Sequence, residues 1–247
     1  MRKAGDLIRE YLREGRLAAN RSQPIGAGTF GVVYQSDIPG NVIKQKHGYD
    51  SYDFVKEADL QADAADMGIA PRVAGVETFL NGIGDRIEMA DVRKNFEQPP
   101  ISTQWPTGVN ALRINQQLGQ LALKGISLDD RHVGNVVYNK MTGRPMQLDF
   151  GSATRVEGDM QIDALTRATE AGFIAAGLDD VAEIYSHTVY DLMAGGDFKE
   201  AMDVAKQGFS RLQKIKVPVV AASPKDPGED MFQTMMANLN KWKPSSD

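Results

Sequence analysis

Strand and helix signals follow one another along this chain in two blocks, and this order limits the folds that the chain can adopt. Residues 25–92 are rich in glycine, β-branched residues and turn signals, and they contain one helical pattern at residues 52–68. Residues 109–208 are mainly helical in pattern, with one hairpin signal at residues 136–150. A β-rich block before an α-rich block predicts an α+β fold with two unlike lobes and a cleft between them.

The proline-bearing segment at residues 95–108 separates the two blocks and is the predicted connection between the lobes. In the first block, Asn81 and Gly82 predict the turn of a hairpin. In the second, Gly195 and Gly196 predict a break between helices. The resulting division is an N-terminal helical extension at residues 1–23, a first lobe at 24–92, a reduced second lobe at 93–240 and a tail at 241–247.

Composition excludes several classes of protein. The net charge is −5 and no basic stripe is present, so we expect no nucleic-acid partner. No apolar run approaches the ~18 residues of a membrane span, and the N-terminus lacks the apolar core of a Sec signal peptide. The chain has no cysteine, which excludes disulfides and thiolate zinc sites. We expect a monomer that folds without either.

A glycine-rich loop lies at the start of the first block, between two predicted strands rather than before a helix. This position disfavours a dinucleotide-binding fold. Bare glycines let backbone N–H groups approach phosphate oxygens, although a tight hairpin without a ligand would also need them. The side chain of Val33 could cover an adenine ring. The residues that would surround a nucleotide are Gly26, Gly28, Thr29, Phe30, Gly31 and Val33.

Lys44 follows two apolar residues on the next predicted strand. A lysine there is costly unless it is paired or binds an anion, but it could also be an edge-strand residue that points to solvent. Glu57, thirteen residues later on the predicted helix, is the available carboxylate. A glutamate on a helix is ordinarily a surface residue, so neither residue is decisive alone.

Residues 128–153 carry the strongest functional pattern. Asp130 and Asn135 are five residues apart, and Asp149 follows fourteen residues later at the end of a predicted hairpin. A carboxylate near the acceptor, an amide oxygen and a second carboxylate for a metal are the groups that phosphoryl transfer requires. Carboxylate and amide oxygens suit Mg²⁺. The order and spacing of the three residues therefore predict a phosphotransferase site.

Taken together, these motifs resemble those of protein kinases over residues 24–153. The resemblance implies a two-lobed protein kinase-like fold in which the glycine loop covers the phosphates of ATP. It implies that Lys44 holds the α- and β-phosphates while paired with Glu57, and that Asp130 is the catalytic-loop aspartate. The implied Mg²⁺ ligands are Asn135 and Asp149. The implied hinge, which binds adenine through its backbone, contains Glu88, Met89 and Ala90.

The sequence departs from regulated protein kinases after this point. Asp129 occupies the place of the catalytic-loop arginine that would bind an activation-loop phosphate, and no A-P-E motif follows residues 149–151. Asp179 or Asp180 weakly matches the start of the central helix of the large lobe, although a helix N-cap explains an aspartate equally well.

This reduced pattern is similar to the minimal effector kinases of the Hop kind, which Gram-negative pathogens deliver by type III secretion. The similarity implies a constitutively active Ser/Thr kinase that acts on a host protein, such as a heat-shock chaperone. It also implies delivery into the host cytoplasm by a non-Sec route; the bacterial cytoplasm is the alternative location.

Three other functions remain open. His132, two residues after Asp130, gives the D-x-H-x-G-N pattern of small-molecule phosphotransferases that act on aminoglycosides, choline or sugar lipids. His132 could contact the γ-phosphate in either class, or could simply bind a backbone carbonyl. A non-catalytic pseudokinase scaffold and a nucleotide-transferring enzyme are the remaining alternatives.

Overall fold

The computed structural model describes residues 24–27, 31–46, 53–79, 85–98, 108–130 and 133–216. The chain divides into two compact units, Met1–Lys94 and Asn95–Asp247. The first is a β-sheet with one described helix, and the second is mainly helical, which confirms the predicted α+β class. The predicted extension at residues 1–23, the turn at Asn81 and Gly82 and the tail at 241–247 lie outside the described residues.

The first unit contains an antiparallel five-stranded sheet in the order β1-β2-β3-β5-β4. The glycine-rich segment contributes β1 and β2, and Gly40, with φ of +88°, lies in the turn between β2 and β3, where residues 37–41 read D-I-P-G-N, a sequence that predicts a turn. One helix, α1, follows β3. The bounds are β1 Gly26–Ala27, β2 Gly31–Gln35, β3 Asn41–Lys46, α1 Phe54–Asp66, β4 Val73–Glu77 and β5 Arg86–Ala90.

Helix α1 begins after Asp53, whose side chain accepts hydrogen bonds from the N–H groups of Val55 and Lys56. This N-cap supplies acceptors for the orphan donors of the first turn and sets the helix start two residues later than predicted. By helical spacing, the sequence predicts a buried face of Phe54, Ala58, Ala62 and Ala65, and the structure buries a different set. The buried residues of α1 are Phe54, Glu57, Ala58, Leu60, Gln61 and Ala64. The buried face of α1 is rotated about the helix axis because the polar side chains of Glu57 and Gln61 are also buried.

The second unit combines four helices with two small groups of strands among its described residues. Strands β6, β8 and β9 form one antiparallel group, and β7 pairs with β10. The bounds are β6 Phe96–Glu97, α2 Gly108–Leu123, β7 Ile126–Leu128, a 3₁₀ turn Val133–Asn135, β8 Val136–Asn139, β9 Pro145–Gln147, β10 Ala153–Arg155, α3 Gly158–Ala175, α4 Asp179–Ala194 and α5 Phe198–Lys214. Apolar residues from all four helices form its core.

Glycines mark two breaks in the helical block, of which the sequence analysis predicted one. The predicted break at Gly195 and Gly196 separates α4 from α5, while Gly177, with φ of +71°, separates α3 from α4. The sequence pattern predicted that the last helix ends at Gly208, but α5 continues to Lys214. A Cβ at Gly208 would lie 2.2 Å from a ring carbon of Tyr185, so the glycine allows close helix packing. Within the described ranges, no helix is both long and apolar enough to span a bilayer.

Candidate active site

The first unit brings Lys44 and Glu57 together, as predicted. The Nζ atom of Lys44 lies 2.6 Å from Oε1 of Glu57. The two residues are 7% and 2% exposed, so the ion pair is buried. Nζ also lies 5.7 Å from the centre of the Phe54 ring, within the range of a cation–π contact. The alternatives of a solvent-facing lysine and a surface glutamate are therefore excluded.

The strand and helix periods explain this pairing. Along β3, Val42, Lys44 and Lys46 alternate with less buried residues, so the Lys44 side chain leaves the sheet on the same face as Val42. β3 lies between β2 and β5 and is not an edge strand. On α1, Glu57 follows the fully buried Phe54 by three residues and therefore lies on the same inward face.

The glycine-rich segment lies next to this ion pair in the sheet. Val33 is directly opposite Gly26 on one neighbouring strand and Lys44 on the other. Val33 also packs against the apolar core of the first unit. A Cβ on Gly31 would lie 2.5 Å from the carbonyl oxygen of Gln45, so sheet packing alone requires that glycine. The predicted residues Gly28, Thr29 and Phe30 lie outside the described part of the chain.

The predicted hinge residues lie in β5, which runs between β3 and β4. The Glu88 carboxylate accepts hydrogen bonds from Ser36 Oγ at 2.5 Å and Asn41 Nδ2 at 3.1 Å. The N–H of Ala90 donates to the carbonyl of Arg72 at 2.9 Å and is not available to a ligand.

The next donors along this segment differ in availability. The N–H of Asp91 donates to the carbonyl of Gly40 at 2.8 Å. The N–H of Val92, by contrast, donates to no acceptor among the described residues. Of the N–H groups of Ala90, Asp91 and Val92, only that of Val92 is therefore without an acceptor in the described part of the chain.

The second unit places the other three predicted residues on neighbouring segments. The Nδ2 atom of Asn135, at the end of the 3₁₀ turn, donates to Oδ2 of Asp130 at 3.4 Å. The N–H of Leu148 donates to the carbonyl of Asn135 at 2.8 Å, which holds the residue before Asp149 beside the turn. Asp149 Oδ1 accepts from the N–H of Gly151 at 2.9 Å. His132 lies outside the described residues.

Two serines to which no sequence motif points contact this segment. The Oγ of Ser127 donates to Oδ1 of Asp129 at 2.8 Å, and the N–H of Asp130 donates to Oγ of Ser152 at 2.9 Å. Neither serine carries a sequence signal, because a hydroxyl on a short strand or after a turn is ordinary. Only the pairing of β7 with β10, which places Leu128 opposite Ala153, brings them to the site.

The donor set of Asn135 and Asp149 fits a Mg²⁺ ion in its chemistry. Because Nδ2 of Asn135 points toward Asp130, the amide oxygen of Asn135 points away from it. Asp149 supplies a carboxylate. Both are hard oxygen donors, and Mg²⁺ is commonly held by one or two such groups together with substrate phosphates and water. The described ranges contain no group of three or more acidic or histidine residues that would form an all-protein metal cage.

Comparison with known proteins gives a likeness in fold. No protein-family model matches the chain, and no curated protein matches it. Among solved structures, the kinase PK-1 of the Cydia pomonella granulovirus matches 61% of this chain at 13% identity with a TM-score of 0.42. The kinase domain of PknI from Mycobacterium tuberculosis matches 63% at 18% identity with a TM-score of 0.41.

These matches cover only part of each protein. The chain spans 61% of the length of the granulovirus kinase and 71% of the PknI kinase domain. The first is a kinase and the second a kinase domain, and matches of this identity and TM-score say nothing of this chain's activity.

Proposed function

We propose that this protein is a Mg²⁺- and ATP-dependent phosphotransferase. The buried ion pair between Lys44 and Glu57, at 2.6 Å, is the observation that carries the proposal. A pair formed by a lysine on the third strand and a glutamate on the following helix is the arrangement in which protein kinases hold the α- and β-phosphates of ATP.

The first unit would bind the nucleotide. Gly26 is exposed and has no side chain to cover its backbone. Val33 lies between this glycine and Lys44 in the sheet, where an apolar side chain could pack on a purine. Val92 is half-buried, and its N–H has no acceptor among the described residues. This N–H would donate a hydrogen bond to a purine nitrogen. The carbonyl oxygen of Ala90 would accept a further hydrogen bond from adenine.

The second unit would supply the metal ligands and the catalytic carboxylate. Asn135 and Asp149 would hold Mg²⁺, which would neutralise charge on the transferred phosphoryl group. Asp130 would orient the acceptor hydroxyl and accept its proton, while the amide of Asn135 holds Oδ2 of this carboxylate at 3.4 Å.

The proposed acceptor is a serine or threonine of a protein. The sequence G-x-G-x-F-G-x-V-Y at residues 26–34 supports a protein substrate over a small molecule. Asp129, with its carboxylate held by Ser127, would repel an activating phosphate, so the proposed enzyme is active without one. The proposal includes an effector role, with delivery into a host cell and a host protein such as a heat-shock chaperone as the target.

The test uses radiolabelled ATP and a eukaryotic cell lysate, with the intact protein and an Asp149→Asn variant. Asp203→Asn, an exposed change on α5, is the matched control. We expect label in acid-precipitable protein with the intact protein and the control, and almost none with Asp149→Asn. Label only in the soluble fraction would indicate a small-molecule kinase. Equal labelling by all three proteins, or none, would contradict the proposal.

The mass of the product separates the remaining alternatives. A modified protein heavier by a phosphoryl group supports phosphotransfer, whereas a nucleotidyl group would indicate the nucleotide-transferring alternative. Calorimetry with Mg²⁺ and ATP identifies a pseudokinase scaffold, which would bind without turnover.

A further inference from the structure

Ser152 connects the two parts of the second unit that carry the predicted catalytic and metal-binding residues. Its Oγ accepts a hydrogen bond from the backbone N–H of Asp130 at 2.9 Å, across twenty-two positions of sequence. Asp130 is exposed, so water could otherwise take this N–H at little cost. The serine therefore contributes mainly to the position of the Asp130 backbone and little to the stability of the fold.

The same segment also holds Asp149. The N–H of Gly151, the residue before Ser152, donates to Oδ1 of Asp149 at 2.9 Å. The residue after Ser152, Ala153, is buried and pairs with Leu128 on β7. Ser152 is thus fixed between a turn that orients one aspartate and a strand pair that ends next to the other.

From this geometry we propose that Ser152 is a positioning residue that fixes Asp130 relative to Asp149. The inference rests on the proposed function, in which Asp130 orients the acceptor and Asp149 binds the metal. Displacements of about 1 Å between reacting groups can lower a rate on the order of 10²-fold, so one backbone hydrogen bond at this point affects turnover.

The link between Ser152 and Asp130 forms without a charged group. It joins a neutral hydroxyl to a backbone N–H, and it needs neither an arginine nor a phosphate. Nearby, Asp129 is held by a second hydroxyl, that of Ser127. The segment after Asp149 is therefore held by hydrogen bonds of the unmodified chain, in agreement with the proposal that the enzyme needs no activating phosphate.

The test compares Ser152→Ala, which removes the acceptor, with Ser152→Thr, which keeps an Oγ. Thr154→Val, on the adjacent β10, is the matched control for loss of a hydroxyl. We expect Ser152→Ala to lower kcat about 3- to 10-fold with KM for ATP changed less than about twofold. We expect Ser152→Thr to restore most of kcat, and Thr154→Val to change neither quantity.

A second measurement does not depend on activity. Hydrogen exchange at the Asp130 amide should be about fivefold or more faster in Ser152→Ala than in the intact protein, and should slow again in Ser152→Thr. Unchanged exchange in Ser152→Ala would overturn the inference. So would a kcat that stays within twofold, or one that Thr154→Val lowers equally. An intact protein without turnover would overturn the proposed function, and with it the positioning role of Ser152. Hydrogen exchange at the Asp130 amide would still show whether the hydrogen bond forms.

Discussion

Breaking the buried ion pair of the first unit should destabilise that unit more than removing the whole pair. The side chains of Lys44 and Glu57 are 9% and 1% exposed, so removing either one leaves the other as a buried charge that has lost its counter-ion at 2.6 Å. The perturbation is a double-mutant cycle of Lys44→Met, Glu57→Leu and the combined variant. Each single variant leaves one buried charge, whereas the double variant leaves none.

The magnitude follows from this burial. Removing one partner of a buried pair costs about 3–5 kcal/mol in the free energy of unfolding. Lys44→Met also loses the cation–π contact with the Phe54 ring, which contributes about 0.5–2 kcal/mol. Replacing both partners by apolar side chains is often neutral. We therefore expect each single variant to lose about 3–5 kcal/mol and the double variant to be more stable than either.

Native-state hydrogen exchange on peptides from β3 and β5 is the appropriate assay, because it reports on the first unit even if the second unfolds separately. Lys56→Met is the matched control, since Lys56 is an exposed lysine next to Glu57. The control should change stability by less than about 0.5 kcal/mol. Costs below about 1 kcal/mol for both single variants, or costs that simply add in the double variant, would contradict this prediction.

The same variants separate stability from the proposed function. All three variants that alter Lys44 or Glu57 should lose turnover, because each removes a group proposed to hold or position the phosphates of ATP. The double variant should therefore regain stability without regaining activity. If it regained both, the pair would be a structural feature and not part of an active site.

Three further predictions concern other positions. Gly31→Ala should lower the unfolding free energy of the first unit by about 1–3 kcal/mol, measured by hydrogen exchange, because its Cβ would lie 2.5 Å from a carbonyl oxygen of β3. Gly208→Ala should cost the second unit a similar amount, seen in urea denaturation, because its Cβ would meet the Tyr185 ring at 2.2 Å. A side-chain hydrogen bond from Arg93 lowers the pKa of Asp91, so its stabilising effect is present above the ordinary value of 3.8 and is lost as pH falls through the lowered pKa. Arg93→Ala should raise that pKa in an NMR titration and remove this acid sensitivity.

The features that sequence predicts best here depend on local pattern. The turn before β3, the strand that carries Lys44 and the hairpin before Asp149 follow from glycines and from alternation, which act over a few residues. The pairing of Lys44 with Glu57 could also be predicted, because the cost of a buried lysine requires a nearby carboxylate.

The features that the sequence did not predict depend on contacts between distant segments. The predicted buried face of α1 was wrong because Gln61 points inward. There, its Nε2 donates to the carbonyl of Pro71 at 3.0 Å. An amide that finds such a partner can be buried, but its identity alone favours exposure. The contact of Ser152 with Asp130 likewise depends on the pairing of β7 with β10, which no local pattern specifies.

The ion pair of Lys44 and Glu57 is stronger evidence for a ligand than the glycines that precede it. The last glycine of the motif, Gly31, is required by the close approach of β2 to β3, so sheet packing accounts for it whether or not a phosphate binds. The ion pair has no such structural requirement, because replacing both partners of a buried pair by apolar side chains of similar volume is often neutral or stabilising. A lysine held by a glutamate on the inner face of β3 is explained if the ammonium also binds an anion. The double variant therefore separates the two roles: a stable but inactive protein would show that the pair serves the nucleotide and not the fold.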